Sequence, residues 1–391
     1  MKSHLKWYLL GAFVSGLLGG GSAFAQSELK TDFTLGAGGE YNIFKSPDAL
    51  YSNDMGDYWD RDSLIISDLM IDAEYDIDFM REKDGKSLFS MGSNLWYRHY
   101  LNYSELSQNY LNLYIDYRRI LTENIHLGGY YNFRWSNRVG TSVTGDLLMR
   151  SFKYLGNEGR VYLDVLPGEN TRMRLFSNYE YKIYYDESTL DPLDHGNLEL
   201  NYTLSNSFGR RHELGLELSA LDRRYSEYHA LNAEGMYDRS HPLRHFRYYK
   251  ADLNYNWKPV RGLRINPEIS VKRRIDMFED YYSYLSYGGG LRIRYMWSRF
   301  YLSLYGDYSR MAYDIRPAFT SQTQDPMLVY GYFDYKMTIR YELSDQWDIS
   351  LELDSDNRSS NTDLDYFKTR RGYHNYQALL SVRYALPDMK W

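Results

Sequence analysis

Residues 68–79 read Asp68-Leu69-Met70-Ile71-Asp72-Ala73-Glu74-Tyr75-Asp76-Ile77-Asp78-Phe79. Leu69, Ile71, Ala73, Tyr75, Ile77 and Phe79 hold odd positions, while Asp68, Asp72, Glu74, Asp76 and Asp78 hold even ones. A strand sends successive side chains to opposite faces, whereas a helix repeats every 3.6 residues, so this stretch is a strand with one apolar and one acidic face. The same period continues downstream. Leu111, Leu113, Ile115 and Tyr117 alternate with Asn112, Tyr114 and Asp116, and Ile125, Leu127, Gly129, Tyr131, Phe133 and Trp135 form another apolar set.

Working outward, sixteen such segments are predicted: 32–43, 64–79, 87–101, 110–121, 125–137, 151–165, 171–185, 197–207, 213–226, 245–257, 263–274, 285–297, 300–313, 329–343, 347–357 and 375–386. Connections after even-numbered segments are short, as at Gly209-Arg210-Arg211 and Ser298-Arg299. Those after odd-numbered segments are mostly long and polar, as at 44–63, 138–150, 227–244, 314–328 and 358–374, with shorter exceptions at 102–109 and 275–284. No linker or low-complexity tract divides the chain, so one domain is expected.

Composition excludes several classes. The chain has 391 residues, 43 of them Tyr, with 17% aromatic and 25% charged residues, no Cys and a formal net charge of −6. A mean hydropathy of −0.62 argues against a polytopic helical membrane protein. The aromatic content argues against disorder, the lack of Cys against a disulfide scaffold, and the weak acidity against a nucleic-acid binder. Lys2 and Lys6, an apolar run from Trp7 to Leu18, and Ala23-Phe24-Ala25 make 1–25 a cleaved signal peptide, with 26–391 as the mature domain.

On these grounds the chain resembles the transmembrane β-barrels of Gram-negative outer membranes, the porin-like ones in particular. The resemblance rests on architecture, not on a sequence motif. It implies an all-β fold, a closed antiparallel up-and-down barrel of about 16 strands (14 to 18), with lipid-facing apolar and lumen-facing polar side chains. Trp135, Trp257, Trp297 and Trp347 near segment ends suit the membrane interfaces. It also implies residence in the outer membrane, contact with the lipid bilayer and lipopolysaccharide, handling by the outer-membrane insertion machinery, and a homo-oligomer, since porins of this size are often trimers. The chain departs from the family at its last strand: Tyr376 to Leu386 keep the apolar phase, Pro387 and Asp388 interrupt it, and Trp391 falls on the opposite parity.

The polar parity supplies the candidate lumen. Asp68, Asp72, Glu74, Asp76 and Asp78 form an acidic ladder. Arg172, Arg174, Arg264, Lys272, Arg292 and Arg294 form a basic wall, with segments 11 and 12 nearly across a sixteen-membered ring from segment 2. Tyr114, Tyr130, Tyr162, Tyr184, Tyr301 and Tyr305 supply inward aromatic bulk. Opposed walls of charge would make a transverse field that sorts solutes by charge and dipole. The function read from this is passive diffusion of small hydrophilic solutes. The rivals are a barrel that exports or assembles a surface polysaccharide and a filled-lumen surface barrel with an enzymatic or adhesive role. No catalytic constellation, cofactor or metal is predicted: His241 and His245 are four apart but in a Pro-containing loop, and the acidic stretch Asp54–Asp62 lacks EF-hand spacing.

Overall fold

The computed structural model describes residues 26–43, 45, 51–52, 58–59, 65–83, 85–137, 139–140, 150–151, 153–185, 193–318, 326–361 and 372–390. The expected signal peptide, the acidic stretch 54–62 apart from 58–59, and the loop at 141–149 lie outside them. Sixteen long strands run in chain order: β1 (Gln26–Tyr41), β2 (Asp68–Lys83), β3 (Ser87–Tyr100), β4 (Gln108–Thr122), β5 (Ile125–Asn137), β6 (Tyr154–Gly168), β7 (Thr171–Tyr184) and β8 (His195–Phe208). They continue with β9 (His212–His229), β10 (Leu243–Trp257), β11 (Leu263–Asp276), β12 (Tyr284–Trp297), β13 (Phe300–Pro317), β14 (Met327–Glu342), β15 (Trp347–Ser360) and β16 (Tyr373–Ala385).

Each strand pairs antiparallel with its chain neighbours. The ring closes because β1 pairs with β2 on one edge and with β16 on the other, from Asp32 opposite Ala385 to Tyr41 opposite Tyr376. The result is a closed, up-and-down, sixteen-stranded barrel. Pro387 and Asp388 make a bulge, after which Met389 and Lys390 resume pairing with Leu29 and Glu28. The phase break in the sequence is therefore a one-residue register slip at the barrel rim. Among the described residues no helix is long and apolar enough to cross a membrane; this chain is built of strands.

Several strands outrun their predicted segments. β1 begins at Gln26 instead of 32, and β9 reaches His229. An apolar band of about 25 Å needs only about 10 tilted residues per strand, and beyond it both faces meet water, so alternation fades while backbone pairing persists. The short-turn end is built tightly. Gly262 has φ +85°, and a Cβ there would stand 2.2 Å from the Met296 carbonyl oxygen, so the β10–β11 turn requires glycine.

The polarity is inverted relative to a water-soluble protein. Leu35, Leu95, Ile115, Val161, Leu200, Ile269 and Leu380 are exposed on the outer face, Ile269 at 59%. Asp72, Glu158, Asp164, Asn201 and Asp348 are buried on the inner face. In lipid this arrangement satisfies both sets: apolar side chains meet acyl chains, and every strand edge is paired.

Candidate functional site

The inner face of β1, β2 and β15 is rich in carboxylates, and the structure divides the expected ladder into three parts. Asp68, at the strand end, accepts hydrogen bonds from the backbone N–H groups of Asn102 (2.7 Å), Tyr103 (3.0 Å) and Leu69 (2.8 Å) and from the Asn102 amide (2.6 Å). It ties down the β3–β4 loop. Asp72 is gripped by the Arg98 guanidinium through two bonds of 2.8 Å. Arg98 also reaches Glu40 (3.1 Å) and Gln377 (2.9 Å), and Glu40 accepts the Tyr100 hydroxyl (2.6 Å). Arg98 thus links β3 to β2, β1 and β16 across the closing seam.

Glu74, Asp76 and Asp78 form the third part. One amide, Asn94 Nδ2, donates to both Glu74 (2.6 Å) and Asp76 (2.7 Å), and the Tyr114 hydroxyl donates to Asp78. Among the described residues no cation lies within ion-pair distance of these three. They remain as a line of carboxylates on the lumen wall, with Glu352 of β15 within electrostatic reach of Glu74, Arg383 of β16 within that of Asp76, and Lys30 of β1 in register opposite Asp78.

The expected basic wall is likewise not uniform. Arg172 and Arg174 converge on the buried Asp164, at 3.0 Å for Arg172 and at 2.5 and 2.8 Å for Arg174, which leaves one net positive charge. Arg264 and Arg294 face each other directly across β11 and β12 with like charge. Together with Arg210, Arg211, Lys258 and Arg261 on the adjacent turns they border a hollow of about 1070 Å³ at the short-turn mouth. Arg292 stacks 4.6 Å above the Tyr305 ring, and Lys272 sits 5.1 Å from that of Tyr248.

The named tyrosines are engaged in the inner wall. Tyr114 stacks with Tyr130 at 6.3 Å, and Arg160 lies 5.2 Å over Tyr130. Tyr162 donates to Asp116 (3.0 Å) and lies over Gly128, where a Cβ would meet its ring at 2.1 Å. Tyr184 packs between Tyr154 and His195, Tyr301 lies under Arg340 at 5.0 Å, and Tyr305 donates to Glu268 at 3.0 Å.

A larger aromatic–guanidinium lattice at the long-loop end escaped the sequence reading. Phe246, Tyr282, Tyr284, Tyr313, Leu328 and Tyr330 form one buried cluster. Arg244 lies 4.6 Å from the Tyr282 ring, Arg274 4.3 Å from Tyr284 and Arg358 4.8 Å from Tyr330. Cations on aromatic faces and interlocked rings brace the rim of β9–β15. The signal was present in Arg and aromatic residues recurring at every second position on these strands, as in Arg244, Phe246 and Tyr248 and in Arg223 and Tyr225. His241 and His245 part company: His241 contacts the Ala230 carbonyl, whereas His245 contacts Asp222 on the outer face.

No protein-family model matches the sequence, and no curated protein matches it. Among solved structures, the outer membrane channel DcaP of Acinetobacter baumannii is similar with a TM-score of 0.50 at 10% identity, over 92% of this chain and 97% of that one. OccAB1 of the same organism gives 0.48 at 6% identity, over 92% and 97%, and OccAB3 gives 0.48 at 9%, over 93% and 99%. The likeness to DcaP is one of fold: both chains form closed antiparallel β-barrels.

Proposed function

We propose that the chain is a passive channel of the Gram-negative outer membrane for small hydrophilic solutes, exported behind a cleaved signal peptide at 1–25. The observation that carries this reading is the inverted polarity: an outer face of exposed Leu, Ile, Val and aromatic residues around an inner face of ion pairs and uncompensated charge. The arc of Glu74, Asp76 and Asp78 lies nearly across the ring from Arg264, Arg292 and Arg294, since β11 and β12 are nine and ten strands on from β2. Such opposed charge orients polar solutes and favours their entry over apolar ones. The shared fold with an outer-membrane channel supports the same reading. The long loops then face outward from the cell and the short turns face the periplasm.

The test is single-channel recording from purified protein in planar bilayers. Stepwise, ohmic conductance is the expected result. Silence in protein shown by circular dichroism and heat-modifiable mobility to be folded would refute a channel and favour a filled-lumen barrel.

A further inference from the structure

Charged side chains on the outer face crowd the long-loop end of β9–β13. Register fixes three successive outward rows across β7 to β10: Ser177–Leu200–Ala220–Tyr249, then Tyr179–Leu198–Asp222–Arg247, then Tyr181–Gly196–Arg224–His245. The first row is apolar apart from Ser177, and its small Ala220 between Leu200 and Tyr249 floors a groove of about 390 Å³ that reaches up to Asp222 and Arg247. The two upper rows carry the charge. Asp222 gathers two guanidiniums and an imidazole: Arg224 through Nε (2.7 Å), His245 (2.8 Å) and Arg247 through Nε (3.3 Å). Next to them, Arg273 is held by Asp314 in a two-bond pair.

Two features make this more than a solvated rim. Asp222 engages only the Nε atoms, so the terminal nitrogens of Arg224 and Arg247 have no hydrogen-bond partner among the described residues. Their side chains are 71% and 45% exposed and held side by side. A charge-bearing outer face directly above an apolar groove is also complementary, in order, to a phosphate headgroup and an acyl chain. Guanidinium forks bind phosphate oxygens in pairs.

We infer that this face binds a lipid A-type glycolipid of the surrounding leaflet, whose phosphate monoester carries no compensating amine, with that phosphate on Arg224 and Arg247 and an acyl chain in the Ala220 groove. The inference rests on the membrane reading of the barrel and not on its conducting, so a silent channel would leave it standing.

The test is native mass spectrometry of the full-length folded barrel in detergent, titrated with diphosphoryl lipid A, with phosphatidylethanolamine or with inorganic phosphate. One lipid A molecule is expected to remain bound at concentrations where phosphatidylethanolamine does not. Arg224→Ala with Arg247→Ala should raise the apparent Kd at least tenfold. Ala220→Trp, which fills the groove and keeps the charge, should raise it at least fivefold. Equal retention of phosphatidylethanolamine, or affinity unchanged in the double arginine variant, would overturn the site. Full displacement of lipid A by equimolar inorganic phosphate would overturn the lipid as its occupant. Heat-modifiable mobility of each variant reports its folding, and if Ala220→Trp fails to fold, the arginine variants alone decide.

Discussion

Neutralising the three unpaired carboxylates should change which ions pass. Successive inward positions on β2 are about 7 Å apart, so an ion about 5 Å from Asp76 lies about 9 Å from Glu74 and from Asp78. In a water-like dielectric Asp76 contributes about 0.8 kcal/mol and each of the other two about 0.5 kcal/mol, attractive for a cation and repulsive for an anion. Three together give about 1.8 kcal/mol, and roughly half survives screening at 0.1 M salt. The cation–anion difference is then about 1.8 kcal/mol, about twentyfold in permeability ratio. Glu74→Gln, Asp76→Asn and Asp78→Asn combined preserve shape and the ability to accept from Asn94 and Tyr114. The assay is the reversal potential in a salt gradient across a planar bilayer, compared between the triple variant and the parent. A fall of about twentyfold in cation preference is expected. Asp72→Asn with Arg98→Gln removes one charge of each sign, keeps the net charge of the wall, and should leave the ratio unchanged. A shift under twofold in the triple variant, or an equal shift in that charge-balanced double variant, would refute the division of the ladder.

Arg98→Met strands the buried Asp72 and Glu40 without a cation and should cost about 3–5 kcal/mol, read by urea unfolding in lipid vesicles. Adding Asp72→Asn and Glu40→Gln to it should recover much of that loss. Ile269→Arg puts a charge in the middle of the outer apolar face and should cost about 2–4 kcal/mol in the same assay. Arg264→Gln with Arg294→Gln removes the facing like charges at the short-turn mouth and should move selectivity toward cations, opposite in sign to the β2 variant. Gly128→Leu drives a side chain into the Tyr162 ring and should destabilise by about 1–3 kcal/mol, with the Tyr162–Asp116 bond lost.

The barrel was legible because period-two alternation leaves one face for lipid and one for water, and because the alternation of short and long connections fixes an up-and-down order. The strands' outer ends were not, since polarity stops alternating where both faces are wet, as in Gln26–Thr31. The lumen wall was legible as to which residues turn inward, but not as to what each one meets. Arg172 and Arg174 read as free basic groups until the β6–β7 register brings Asp164 between them, opposite Arg174. Asp68 read as one more rung, though its partners come from a loop 34 residues on. Asp222 and Arg224 went unnoticed because parity assigns polar groups inward, a rule that holds only within the apolar band.

The seam between β1 and β16 has a consequence for assembly. Every other long pairing joins strands adjacent in the chain, whereas this one joins Asp32 to Ala385 and, past the bulge, Glu28 to Lys390. Until it forms, both outermost strands offer unpaired edges, the shape that invites sheet extension or aggregation. Hairpins can accumulate one after another, but the ring is completed only by the most sequence-distant contact in the molecule, which is slow to find by chain diffusion. The Arg98 fork, reaching Glu40 and Gln377 on both sides of that seam, acts as its latch. A barrel lacking it should linger as an open sheet, susceptible to added protease after the parent has become resistant.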